Sequence, residues 1–269
     1  MPVVQGKFIQ IHSVNSFYVH VEEMLLEHFD NEHYKNCVFL LGTYCKEPVS
    51  VTKKLYPNKR IITYQLEQLM DGQNWHSVSN TINNLKSAEE IWDYDAINVE
   101  YLKYFNIKVN KVIPMLYTNS LKRIEKNLNP FFDVLFYGFM NERRFKIFNK
   151  IQSDLYGQIK ISWIYGSTDI DKHIADSKII LNIHAFDPYN RQEQVRMFYP
   201  VINGKTVVSE ESQLNNMEGC IIESSIENIS KVLFSVASSS LWKDFGKQAE
   251  NNFKNITKER IHNENIYMQ

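Results

Sequence analysis

The segment "VLFYGFMNERR", residues 134–144, runs an apolar stretch into Gly138 and then sets Arg143 and Arg144 side by side. A strand, a tight turn and a helix start form a natural seat for a phosphate. The first N–H groups of a helix have no internal partner and carry partial positive charge. A glycine lets the backbone approach a ligand, and an arginine can fork onto a pyrophosphate. The competing account is that both arginines are solvated or pair with nearby acids such as Asp133.

A second polar cluster lies in "NIHAFDPYNRQEQVRMFYPVINGKTVVSEES", residues 182–212. His184 ends an apolar run that reads as a buried strand. Glu193 and Arg196 are three apart and so share a helix face, opposite Val195, Phe198, Tyr199 and Ile202. Gly204 ends that helix, and "TVVSE" returns as a strand. His184 as a packing residue, and Glu193–Arg196 as a surface ion pair of little worth, stay open beside the ligand reading. Strand ends at 138, 166, 184 and 209 line one crevice if the sheet is parallel.

The elements that must position these residues alternate between short strands and amphipathic helices, which predicts an α/β fold with parallel sheets. The first half reads as strand "KFIQIH", helix "SFYVHVEEMLLEHF" with Phe17, Val21, Leu25 and Phe29 on one stripe, then strands "NCVFLLG" and "RIITYQL". Helix "VSNTINNLKSA", strand "EEIWDYD", helix "AINVEYLKYF" and "VNKVIPMLY" follow. The polar stretch 118–130 ends in Asn129-Pro130, a turn signal, and the alternation then begins again. Two αβ domains, 1–128 and 129–269, are therefore expected, with a ligand cleft at the carboxyl ends of the strands. The last helix carries Leu241, Phe245, Ala249, Phe253 and Ile256 on a stripe that reads as core-facing. Lys243, Lys247 and Lys254 beside it leave a membrane-surface helix as the alternative.

The composition sets outer bounds. The chain has 269 residues, 43% hydrophobic and 23% charged, with a formal net charge of −1. No global field draws it to nucleic acid or anionic membrane, and no nucleic-acid partner is expected. No apolar run reaches the roughly 18 residues of a membrane span. The opening stretch lacks the pattern of a signal peptide. Cys37, Cys45 and Cys220 show no paired framework, so reduced thiols in a cytoplasmic compartment are the expectation.

Residues 131–212 resemble the nucleotide-sugar half of a glycosyltransferase of the GT-B fold, which has two facing Rossmann-like domains. "FYGFMNERR" is similar to the glycine–arginine element that approaches the donor diphosphate. "EQVRMFYPVINGKTVVSE" is similar to the "R-x-F-E-x-x-A-C-G-x-x-V-x-S-E" run of spore-maturation-type transferases. "YQLEQL" and "IWDYDAINVEYLKYF" resemble segments of uncharacterised bacterial and viral proteins of that group. The resemblance implies sugar transfer from a nucleoside diphosphate to an acceptor hydroxyl, on a glycan or another hydroxyl-bearing molecule, without a metal or other cofactor.

Carried over by position, Gly138 and Arg144 fall on the phosphate element, and Arg196, Phe198, Gly204, Val208, Ser209 and Glu210 on the second. The full donor-binding set expected is Gly138, Asn141, Arg143, Arg144, Tyr165, Gly166, His184, Glu193, Arg196, Ser209 and Glu210. Arg144 is expected to hold the donor without supporting the fold. One departure stands out: where such families place a ribose-binding glutamate, this chain has Tyr199.

The catalytic base is expected from the first half. His12 ranks slightly ahead of Glu67 because an imidazole titrates near neutrality. The acidic triplets "DYD" at 93 and "DID" at 169 read as capping groups in preference to a metal site. Two other functions stay in view: a binding module that kept the fold and lost turnover, and a nicotinamide-dependent oxidoreductase. The latter is disfavoured because no G-x-G-x-x-G follows a strand.

Overall fold

A computed structural model describes residues 3–70, 75–125, 127–166, 169–187 and 191–263. The chain divides into two compact units, Met1–Thr118 and Asn119–Gln269. The division falls earlier than the expected 128/129. The polar stretch past Thr118 is bound to the second unit: Asn203 Oδ1 accepts from the Arg123 and Ile124 amides at 3.0 and 2.9 Å, and Asn203 Nδ2 donates to the Leu121 carbonyl at 3.0 Å.

The first unit is a six-stranded sheet in the order β1 to β6: Val3–Gln5, Gln10–Ser13, Cys37–Leu41, Arg60–Gln65, Glu90–Asp93 and Lys111–Val112. β1 pairs antiparallel with β2, and every other pairing is parallel. Among the described residues the helices α1 (Val19–Phe29), α2 (Pro48–Leu55), α3 (Trp75–Ser87) and α4 (Ala96–Lys103) connect the strands. β3 is buried at every position, as an interior parallel strand must be. One sheet face is filled by rings: Phe29, Tyr34, Phe39 and Trp92 meet at centroid distances of 5.1–6.0 Å.

Three readings of this half are corrected. β1 and α2 were not expected from the sequence. α2 is short and weakly apolar, and its signal is Pro48 in the first turn, where a missing N–H costs nothing. Phe17 does not join the α1 stripe. It lies in a 3₁₀ turn, Ser16–Tyr18, capped by Asn15, and is 69% exposed, while Val21, Met24, Leu25 and Phe29 are buried.

The second unit is a five-stranded, wholly parallel sheet built from β7 (Phe132–Tyr137), β8 (Ile161–Ile164), β9 (Ser177–Asn182), β10 (Thr206–Glu210) and β11 (Ile222–Ser224). Their spatial order is β11-β10-β9-β7-β8. The chain steps from β7 to β8 on one side and returns to β9 on the other. The gap beyond the carboxyl ends of β7 and β9 is thus a topological switch point, where open α/β sheets bind ligands. Helices α5 (Glu142–Asp154), α6 (Ile170–Ala175), α7 (Gln194–Ile202), α8 (Ile229–Ala237) and α9 (Leu241–Asn263) flank the sheet. The core includes Val134, Phe136, Ile179, Leu181, Val208 and Leu233. α9 is core-facing, with Ala249 and Phe253 fully buried, although Leu241 at its start is exposed. Among the described residues no helix is long and apolar enough to cross a membrane.

Candidate functional site

The carboxyl ends of the second-unit strands lie on one edge, and most of the expected residues meet there. At Gly138 the chain turns with φ +129°, a conformation that side chains rarely adopt. The turn leads to Asn141, whose Oδ1 caps α5 by accepting from the Arg144 amide at 2.9 Å. Asn141 Nδ2 also donates to the Ala185 carbonyl, tying the start of α5 to the segment after β9.

Arg143 is held by acids. Its Nη1 and Nη2 donate to both oxygens of Glu210 at 2.9 and 2.5 Å, Nε donates to Asp187 at 2.5 Å, and Nη1 also reaches the His184 carbonyl at 2.8 Å. Burial opposes the Arg143 charge, but Glu210 and Asp187 outweigh it and raise the pKa. Glu210 accepts from the His184 amide as well, at 2.9 Å. The pair therefore braces the loops after β9 and β10 against α5.

Arg144 has a different place from the one expected of a donor ligand. It is only 3% exposed, and all three guanidinium nitrogens are engaged: Nε with the Ile183 carbonyl at 2.9 Å, Nη1 with the Phe139 carbonyl at 2.9 Å, and Nη2 with Glu193 at 2.6 Å. Burial lowers its pKa to about 10, with Glu193 resisting. The sequence signal was correct about its location at the helix start but silent about its depth. Arg144 is framework, joining the turn after β7 to the segment after β9.

Glu193, the N-cap of α7, also takes Arg196 Nη1 at 2.8 Å. Burial works against its carboxylate, yet Arg196 and Arg144 prevail and lower the pKa. The three arginines are thus matched by Asp187, Glu193 and Glu210. Of the three, Arg196 faces the turn. Its guanidinium lies on Gly138, where a Cβ would come within 3.1 Å of Cζ and Nη2. Tyr137 OH donates to the Arg196 carbonyl, and Asn182 Oδ1 stands 3.4 Å from Nη1. Ser209 is buried and does not face the edge. It accepts from Asn182 Nδ2 at 3.0 Å and so orients a neighbour of Arg196.

His184 is fully buried. Its Nε2 lies 3.0 Å from the Glu211 carbonyl, which only accepts, so Nε2 carries the proton in the neutral ring. Its Nδ1 has no partner among the described residues. Tyr165 and Gly166 follow β8 at the open side of the edge. The Tyr165 ring meets Phe139 at 6.0 Å, and each is 57% exposed. The sequence reading missed Phe139, Asn182 and Asp187. Phe139 had the one available signal, a large aromatic directly after the turn glycine.

Tyr199, at the departure from the expected glutamate, donates its OH to Asp171 Oδ1 at 2.5 Å and accepts from Arg123 Nε at 3.3 Å. Burial and Asp171 raise its pKa. Of the acidic triplets, Asp95 caps α4 by accepting from the Ile97 amide at 2.8 Å, and Asp93 accepts from the Asp95 amide at 2.9 Å. Among the described residues no group of three or more His, Cys, Asp or Glu side chains is arranged to hold a metal ion.

The two expected bases lie in the first unit. His12 is 2% exposed, its Nε2 is 2.7 Å from Tyr56 OH, and burial lowers its pKa. The ring is thus enclosed at the end of β2, edge-on to Tyr56 at a centroid distance of 4.9 Å. Glu67 is half-buried beyond the carboxyl end of β4 and accepts from Tyr18 OH at 2.6 Å.

No family model matches the chain. Two uncharacterized proteins of Acanthamoeba polyphaga mimivirus are similar to it. One is 28% identical over 165 residues, covering 61% of this chain and 55% of the relative. The other is 29% identical over 164 residues, covering 58% of this chain and 17% of the relative. The chain thus spans about half the length of the first relative and less than a fifth of the second. Among solved structures it resembles S. aureus TarM in complex with Fondaparinux, α-GlcNAc-glycerol and UDP, at TM-score 0.55 and 11% identity, covering 94% of this chain and 58% of that one. It resembles Anabaena HepE in complex with UDP and glucose at TM-score 0.55 and 9% identity, covering 87% and 78%. Sucrose-phosphate synthase of Thermosynechococcus elongatus follows at 0.53 and 9%, covering 87% and 72%. The chain has a GT-B glycosyltransferase-like fold.

Proposed function

We propose that the protein transfers a glycosyl group from a nucleoside-diphosphate sugar to an acceptor hydroxyl, without a metal ion. The observation that carries this reading is Arg196 lying on side-chain-free Gly138, beside the capped start of α5, at the switch point between β7 and β9. The diphosphate sits there, its charge met by Arg196 and the first-turn amides of α5. Phe139 and Tyr165 offer the flat surface for the base. UDP in the TarM and HepE structures supports a nucleotide donor.

In the reaction the acceptor oxygen attacks the anomeric carbon, and the bond from that carbon to the diphosphate oxygen breaks. The electron pair leaves on the diphosphate, where a fixed cation stabilises it more in the transition state than in the ground state. The acceptor's proton passes to a carboxylate, for which Glu67 is the first-unit candidate. Arg143, Arg144, Glu193 and Glu210 act through their neighbours by holding the edge in shape.

A binding module without turnover is the second reading, favoured by Tyr199 being engaged with Asp171 and Arg123. Thermal shift and donor hydrolysis with a panel of UDP-, GDP- and TDP-sugars test both. Stabilisation together with release of the nucleoside diphosphate supports transfer. Stabilisation with no release, even with added acceptors, supports the module. No response to any donor overturns both.

A further inference from the structure

Two groups of β8, the edge strand of the second unit's sheet, grip the turn after β7. The Gly138 amide donates to the Ile164 carbonyl at 3.1 Å and extends the β7–β8 ladder by one bond. The Gly138 carbonyl accepts from the Trp163 indole Nε1 at 3.0 Å. Trp163 stands opposite Phe136 in the ladder, so its side chain reaches forward along β7 to the turn. β8 ends at Ile164, and the indole N–H stands in for the backbone donor of a further strand residue. Burial does not account for a tryptophan here, because its side chain is 45% exposed.

That bond sets the direction of a whole peptide. The unit between Gly138 and Phe139 is planar, and its C=O and N–H point opposite ways. With the carbonyl held on the β8 side, the Phe139 N–H is turned to the β9 side. The β7–β9 ladder ends at Phe136 and Leu181, so the sheet does not take up that N–H. Among the described residues the Phe139 and Met140 amides have no hydrogen-bond partner. The Phe139 carbonyl, in contrast, is committed to Arg144 Nη1 at 2.9 Å. The turn thus keeps both carbonyls occupied and both following amides free, beside the guanidinium of Arg196.

Glycine makes this direction easy to lose. Without a Cβ, Gly138 allows wide backbone rotation, so the peptide could flip at little steric cost. An N–H aimed at an anion makes a charge-assisted bond, whereas a flipped peptide would aim its carbonyl oxygen there and repel it. The Trp163 indole opposes the flip from outside the anion's reach.

We propose that Trp163 is a positioning residue: it locks the peptide between Gly138 and Phe139 so that the Phe139 N–H meets the donor diphosphate. This rests on the nucleotide-sugar reading above. Trp163 does not touch the ligand and acts through the Gly138 carbonyl.

The sequence contains a single Gly-Phe step, at 138–139. Labelling the full chain with carbonyl-13C glycine and 15N phenylalanine therefore isolates this peptide as one carbonyl–amide NMR correlation. Adding UDP is expected to move its amide proton downfield. Trp163→Phe keeps a ring and removes the indole N–H. In the free variant the carbonyl resonance should move upfield, and UDP should bind about fivefold more weakly in calorimetry, the worth of one neutral hydrogen bond. A tryptophan that only supported the fold would lower Tm and leave UDP affinity of the folded variant unchanged.

An amide signal indifferent to saturating UDP, or a folded Trp163→Phe protein that binds UDP as tightly as wild type, overturns the proposal and leaves the donor site standing. If the variant does not fold, the wild-type titration decides alone. No response of the wild type to UDP by either method removes the donor reading, and this proposal with it.

Discussion

The guanidinium of Arg196 rests on the backbone of Gly138, close enough that a methyl group there would sit 3.1 Å from its central carbon. Two strand ends thereby share one cation, because α7 delivers Arg196 onto the turn after β7. Gly138→Ala attacks both halves of that relation. The residue needs φ +129°, costly for any side chain, and the methyl pushes the guanidinium aside. We expect UDP affinity to fall at least about tenfold in calorimetry, with about 1–3 kcal/mol of lost stability. Unchanged affinity in a folded variant would detach Gly138 from the donor site.

Arg144 and Arg196 should separate cleanly in paired substitutions. Removing Arg144 leaves the Ile183 and Phe139 carbonyls without their donor and strips Glu193 of a buried partner. Breaking such a pair costs about 3–5 kcal/mol, and Arg144→Lys cannot restore the three-way geometry. Arg196 is 19% exposed and leaves Glu193 still bonded to Arg144 when removed. Arg196→Ala should keep Tm within about 3 °C while UDP binding weakens about tenfold or more, since a charge-assisted bond is lost. Equal loss of Tm in both variants would contradict the division of labour.

How far the sequence foretold this arrangement depends on what each residue's signal encodes. The glycine turn, the arginine pair and the strand ends were legible because turn chemistry and alternation are local. Depth was not. "ERR" reads identically whether its second arginine meets solvent or, as here, closes onto Phe139 in the adjoining turn and onto Ile183 and Glu193, 39 and 49 residues away. The same limit explains His12, whose strand-end position was legible but whose ring turns onto Tyr56, 44 residues on. α2 was missed because its burial comes from packing under β3 and β4, leaving little periodic pattern in "PVSVTKKL".

Gly204 and Gly246 set the distance between the end of α7 and α9. A Cβ on Gly246 would lie 2.2 Å from the Gly204 carbonyl oxygen, and that atom is backbone and cannot rotate away. The helices must separate to accept a methyl, which strips packing from Ala249 and Phe253, both fully buried. Gly246→Ala gains helix propensity of roughly 1 kcal/mol. Overpacking at a backbone contact exceeds that gain, so a net loss of about 1–3 kcal/mol is expected in chemical denaturation. A more stable variant would show that α9 adjusts freely.

Lys205 supplies a pH signature for the second unit's fold. Its Nζ is buried before β10 and donates to the carbonyls of Ala175 and Ser177, both at 2.9 Å. Burial lowers its pKa from 10.5 to about 8, with Asp176 resisting. Between those two values the folded chain has released this proton while the unfolded chain still holds it. The unfolded state binds more protons there, so stability rises with pH across that window. The neutral amine still donates to both carbonyls, so deprotonation removes a desolvated charge without breaking the contacts. The full effect is at most about 3 kcal/mol. Lys205→Met deletes it, and other lysines and tyrosines contribute equally to both proteins. The difference in Tm, wild type minus variant, should therefore grow from pH 8 to pH 10.5 and be nearly flat from pH 6 to pH 7.5. A difference constant over the whole range would mean that the Lys205 amine keeps its proton in the folded protein.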